Sequence, residues 1–233
     1  MRTTPATPLS EMFLERVRPA LLRVTSHDYF VRATTSSLTL TQCRAPLLGF
    51  YPLIAGFPDL MRATLDHMNM DVPGADRARR WIRANLRVEK QHATWWIDWA
   101  SAFGISADDL AQVKTDDIMN GAHRYLYELT RSGPAADAIA ATNYALEGAT
   151  GIWTRDALAG MSRQGEAFGF TADARALRWL HAHAHYDDRH PIEALEIVKI
   201  FARDEASIES AAAAATQSLD HVAAALTHAL QAS

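Results

Sequence analysis

Apolar residues recur along this chain at spacings of three and four rather than in alternation, the period of helices that each bury one face. A first helix is predicted from Ser10, a good N-cap, through Met12-Phe13, Val17 and Leu21-Leu22. The next opens after Thr34-Thr35-Ser36-Ser37 and runs toward His67. Pro46, Pro52 and Pro58 should bend or break it, since each removes a backbone donor. A third spans Ala75 to Phe103 and stops at Gly104, and Ser106 and Thr115 cap shorter helices. Gly133-Pro134 is a stop, followed by a long helix from Ala135 to Met161. Pro191 should end or kink the helix before it, because the residue preceding proline disfavours the α region. Two more helices follow, the last alanine-rich and amphipathic from Glu205. Strand signals are scarce, and no Asn-Gly or Asp-Gly turn joins two alternating runs. The pattern predicts an all-α chain with a flexible segment over 1–9 and a single helical domain over 10–233.

Composition narrows the function classes. At 233 residues, 48% hydrophobic and 21% charged, the chain is expected to bury a sizeable core. Net charge is −4 without a basic block, so neither nucleic acid nor an anionic membrane is an expected partner. The arginines at 77, 79, 80, 83 and 87 are broken up by Asp76 and Glu89 and read as a solvated helix face. Cys43 is the single cysteine, so no intramolecular disulfide forms and a reducing cytoplasm is the expected setting. The chain shows no secretion signal and no apolar run long enough to span a membrane.

The candidate chemistry lies in three places. In His183-x-x-x-Asp187-x-x-His190, steps of four and three at about 100° per residue leave the three side chains on one helical stripe. Two imidazoles and a carboxylate on one stripe are a ligand set for a divalent transition metal such as iron. A rival register, His181-x-x-x-His185-x-x-Asp188, occupies the opposite face, and the sequence leaves both open. Glu89-x-x-His92 sits upstream on a helical segment. Trp95, Trp96, Ile97 and Trp99 follow it as a core wall and read as packing. Glu147 lies in an apolar run and is costly to bury unless it is protonated or compensated by a cation. Three carboxylates and three histidines are about what two iron ions need while keeping open positions for oxygen. Only one Glu-x-x-His exists in the chain, whereas ferritin-like bundles take one from each of two helices.

Glu89-x-x-His92, then Glu147, then His183-x-x-x-Asp187-x-x-His190 resembles the ligand signature of the haem-oxygenase-like diiron oxidases. The stretch from Leu40 to Tyr51, with Phe57-Pro58 after it, is similar to the second helix of that superfamily and of its pyrroloquinoline-quinone-synthase-like and TenA-like relatives. The resemblance extends over residues 10 to 205. It implies a haem-oxygenase-like bundle of about seven core helices with metals at its centre. Glu89, His92, Glu147, His183, Asp187 and His190 are then the ligands of two Fe(II) ions, with manganese as the alternative metal. The implied activity is oxidation of a small amine-, guanidine- or carboxylate-bearing metabolite with dioxygen and an external reductant. N-oxygenation, oxidative decarboxylation and C–C cleavage all fall within it. Pocket candidates are His123, Tyr127, Asn143, Tyr144 and Arg155, and the alanine-rich last helix offers a face for a homodimer.

Rival readings remain at this point. A cofactor-free oxidase resembling pyrroloquinoline-quinone synthase would use the histidines but leave three carboxylates converging without a cation. A thiaminase-like enzyme would need a cysteine nucleophile, and Cys43 looks poorly placed in the proline-broken second helix. A haem oxygenase would need a proximal histidine near His27, but the glycine-rich distal signature is absent. A non-catalytic ligand-binding bundle is the last alternative.

Overall fold

The computed structural model describes residues 7–170, 173–186 and 189–233, and all of its regular structure is helical. Helix α1 (Pro8–Thr25) begins two residues before the expected cap: Thr7 and Ser10 form a reciprocal capping box, so Ser10 is the third helical position. His27 caps α2 (Asp28–Thr34), and a Thr39/Gln42 capping box opens α3 (Leu40–Gly49). The expected second helix is in fact α3 and α4 (Tyr51–His67), parted at Phe50. Pro52 falls in the first turn of α4, where its missing donor costs nothing, while Pro46 and Pro58 stay inside their helices.

The expected third helix is also two: α5 (Ala75–Glu89) and α6 (His92–Ser101). No glycine or proline marks this break. Gln91 N–H bonds to the Val88 carbonyl, a tightened turn that separates them. After α7 (Ala107–Ala111), Thr115 does not open a helix. The Asp116 carboxylate instead accepts the Ile118 and Met119 amides in a turn, and α8 runs over Gly121–Ser132. The long helix after Pro134 is a composite of α9 (Ala135–Ile139), a π-helical segment (Ala140–Leu146) and α10 (Glu147–Ala167). The chain ends with α11 (Arg178–Tyr186), α12 (His190–Phe201) and α13 (Glu205–Leu230), the last capped by Asp204 and Ser207.

Helix α13 packs along α1 and across the π-helical segment, α8 and α9. Its alanine-rich face (Ala211, Ala212, Ala215, Leu219, Leu226) is buried within the chain. Helix α10 lies between α2 and α11, and α12 packs on α9, the π-helical segment and α5. The α2–α10 contact depends on Gly160, where a Cβ would stand 2.0 Å from the Ala33 carbonyl oxygen. These packings bring α5, α6, α10, α11 and α12 around one interior region. Among the described residues, no helix is long and apolar enough to cross a membrane.

Candidate metal centre

Glu89 is the last residue of α5 and His92 the first of α6, so the pair brackets the turn between them. Glu89 Oε2 lies 2.7 Å from His92 Nδ1, and both residues are buried. Glu147 is the first residue after the π-helical segment. A π-helical stretch winds wider than an α-helix and changes the direction in which the next side chain leaves the axis. Within that segment the Asn143 amide donates to Glu147 Oε1. Asn143 is itself fixed by the Thr142 hydroxyl, which donates to Asn143 Oδ1 at 3.2 Å and to the Ala138 carbonyl at 2.6 Å. The second carboxylate oxygen, Glu147 Oε2, faces His190 Nδ1 at 3.1 Å. That distance suits an ion pair between a protonated imidazole and the carboxylate.

His183 on α11 donates from Nδ1 to the Trp179 carbonyl at 2.7 Å. A carbonyl only accepts, so Nδ1 carries the proton and Nε2 the lone pair, the form that ligates metal. The His183 ring lies 4.6 Å from that of His92. Burial, with the nearby His92 adding to it, pushes the His183 pKa down to about 3, so the imidazole is neutral at ordinary pH. Burial pushes the Glu147 carboxyl up, and the charge of Glu89 adds to this, while His190 and Asn143 pull it back.

Five of the six expected ligands therefore gather from five helices. Asp187, the sixth, lies outside the described residues, as does Asp188 of the rival register. His181 and His185 are exposed, with their rings stacked on each other at 6.1 Å, whereas His183 is 5% exposed. Histidine 183, not its neighbours, points into the protein. His183 and His190 do not share one helix: α11 ends at Tyr186 and α12 begins at His190. Pro191 opens α12 instead of ending a helix, because in a first turn its ring meets no preceding carbonyl and no amide is missed. Among the described residues no group of three His, Cys, Asp or Glu side chains is set to hold a metal ion.

Glu89, His92, Glu147 and His183 form part of the wall of a cavity of about 110 Å³. The rest of its lining is aromatic and aliphatic, with Trp96, Trp99, Phe103, Trp153 and Trp179 prominent and no arginine or lysine. Cys43 also lines it, contrary to the expectation that it is poorly placed. Burial pushes its thiol up to about 12, so it stays protonated and is a poor nucleophile. None of the five expected pocket residues lines this cavity. His123 turns to Asn120, Tyr127 is 48% exposed beneath Arg131, and Tyr144 packs edge-on against Phe13. Arg155 is exposed, and Asn143 acts on Glu147 rather than on the cavity. His27 spends its ring on the Tyr29 amide and the Thr227 hydroxyl, outside the cavity lining, so it is no haem ligand.

The family model for iron-containing redox enzymes matches residues 47–223. The chain belongs to that family. No curated protein matches the chain. A TenA homolog from Pseudomonas syringae pv. tomato str. DC3000 is 29% identical over 99% of each chain, with a TM-score of 0.89. A domain of unknown function with a heme oxygenase-like fold from Shewanella denitrificans is 15% identical over 97% of this chain and 93% of its own, with a TM-score of 0.78. A protein described as a TenA-like thiaminase from Sulfolobus solfataricus P2 is 13% identical over 96% of this chain and 98% of its own, with a TM-score of 0.63. The last two show the fold alone, a haem-oxygenase-like helical bundle, as the expected resemblance implied.

Proposed function

We propose that this member of the iron-containing redox family is a non-haem diiron oxygenase or oxidase. Glu89, His92, Glu147, His183 and His190 hold the irons in this reading, and Asp187 completes the set. The observation that carries it is the meeting of two buried carboxylates, Glu147 and Glu89, with the imidazoles of His92 and His183 on one cavity wall. Two like charges in a dry site repel, and a cation between them relieves the cost. The donor set of imidazole nitrogen and carboxylate oxygen suits iron, with manganese as the alternative.

Bound iron supplies the electrons and Lewis acidity that dioxygen activation needs. The chain's own residues do the rest. The Trp179 carbonyl fixes the His183 tautomer, and the Thr142–Asn143 pair orients Glu147. The indole and phenyl walls exclude water and seat the substrate. With no arginine or lysine among the described lining residues, an apolar tail supplies much of the substrate's binding. Among the implied reactions this favours an alkyl- or aryl-bearing substrate, such as a carboxylate undergoing oxidative decarboxylation. Dioxygen and an external reductant are the co-substrates, and a reducing cytoplasm suits the unpaired Cys43.

Anaerobic Fe(II) titration of metal-free protein tests the reading. Uptake of about two irons per chain, followed by oxygen consumption, supports it, while absence of uptake moves the choice to the cofactor-free oxidase or a binding bundle.

A further inference from the structure

Four of the chain's six tryptophans form one contiguous array against the candidate site. The Trp179 ring lies 3.9 Å from that of His183. Trp96, Trp99 and Trp153 surround Trp179 at 4.8, 5.4 and 5.9 Å, and Trp96 and Trp99 meet at 5.0 Å. Phe30 stacks on Trp153 at 4.5 Å. All four indoles line the cavity that Glu89 and Glu147 also line.

Packing alone does not account for indoles here. Trp96 donates its N–H to the Leu47 carbonyl, but the N–H groups of Trp99 and Trp179 are buried without an acceptor. Phenylalanine or leucine would fill such a wall without leaving a donor unsatisfied. An indole offers in exchange a ring that gives up an electron far more readily than a phenyl ring does.

We propose that this array drains oxidising equivalents from the site when dioxygen reacts there without substrate. The proposal rests on the diiron reading, which supplies the oxidant. With iron bound and oxidised by dioxygen, the Trp179 ring beside His183 would give up one electron to the site, which would be reduced by one electron as the ring becomes a radical cation. Trp96, Trp99 or Trp153 refills Trp179, and the vacancy ends on a one-electron donor of the ascorbate class in solution. Trp153, 9% exposed and the most open of the four, is the outlet.

The test admits oxygen to iron-loaded, substrate-free protein and follows rapid-freeze paramagnetic resonance, with ring-deuterated tryptophan to distinguish indole from phenol radicals. Peptide mass spectrometry then maps oxidised side chains, while iron content and oxygen uptake are measured on the same samples. Wild type should give a tryptophan radical that ascorbate quenches. Trp179→Phe should lose most of that radical and gain oxidised His183 and His92. Trp153→Phe, at the far end of the array, should keep the radical but slow its quenching by ascorbate, which guards against misreading a folding defect in the first variant. Iron uptake and oxygen consumption with no tryptophan radical, or with the same radical and the same damage in Trp179→Phe, overturn the relay and leave the diiron reading standing. No iron uptake and no oxygen consumption overturn both.

Discussion

Glu147 on α10 and His190 on α12 meet at 3.1 Å because the residue after each is small or ring-closed: Gly148 lies directly against Pro191. A Cβ on Gly148 would stand 3.3 Å from Pro191 Cβ, closer than side chains ordinarily pack. Gly148→Ala gains about 1 kcal/mol of helix propensity and loses a similar amount, roughly 1 kcal/mol or more, to overpacking. Thermal stability should therefore change little, while Fe(II) affinity measured by titration falls as α12 is pushed outward. Unchanged affinity would show that the α10–α12 spacing does not set the site.

Alanine at His183 or at Glu147 should abolish metal-dependent oxygen consumption and leave helicity by circular dichroism nearly intact. Alanine at the outward His181 or His185 should leave both unchanged, because these rings face solvent. Loss of activity in the second pair instead would mean that the other register holds the metal.

Asn143→Ala removes the donor on Glu147 Oε1 without touching a ligand. Removing such an outer partner typically weakens metal affinity by roughly 10–100-fold. The variant should need more Fe(II) to reach half-saturation and yet reach the same stoichiometry at excess metal. A lower final stoichiometry would instead make Asn143 part of the ligand set.

Acid stability of the metal-free protein carries a sign that can be worked out. His183 has a folded pKa of about 3, below its ordinary 6.5, so between these values the unfolded chain binds the proton and the folded chain does not. Stability falls as pH drops from 6.5 toward 3 and loses nothing further from this group below 3. Glu147, whose carboxyl is raised, acts oppositely: protonation favours the folded state as pH falls. In urea titrations across this range, His183→Ala should show a shallower acid decline than wild type. An identical decline would place the acid sensitivity elsewhere.

Cys43, buried with its thiol raised to about 12, should resist alkylation at neutral pH in the folded protein and react once the chain is unfolded. Cys43→Ala should cost roughly 1 kcal/mol of stability, as small core truncations do, and leave iron-dependent oxygen consumption in place. Loss of that consumption, with thiamine cleavage by wild type, would favour a thiaminase-like enzyme.

The buried acidic and imidazole residues are legible in the sequence because burying charge is expensive wherever it occurs. Glu147 among alanines and the Glu89/His92 pair before a tryptophan wall stand out without coordinates. Their geometry was less legible. The α5–α6 break has no proline or glycine to announce it, and the π-helical segment over Ala140–Leu146 looks in sequence like any alanine-rich helix. Pro191 starts a helix rather than ending one, because proline suits either boundary and only the contacts on its other side decide. The placement of the pocket candidates is illegible for a related reason. His123, Tyr127, Tyr144 and Arg155 are near the ligands in sequence or on adjacent helices, but which face each occupies depends on packing that the chain order does not display. One clue was available for the true wall: Trp179 lies one turn before His183, the spacing at which helical side chains touch.

The π-helical segment makes the position of Glu147 a matter of counting. Deleting one residue between Ala140 and Leu146 would let an ordinary helix form there with a gain in backbone regularity. It would also turn everything beyond by about 100° relative to α9. Glu147, or α9 itself, would then have to leave the interior. The chain thus keeps a less favourable winding where a better helix is one codon away, and insertions or deletions in this stretch should be far less tolerated than substitutions among its small residues.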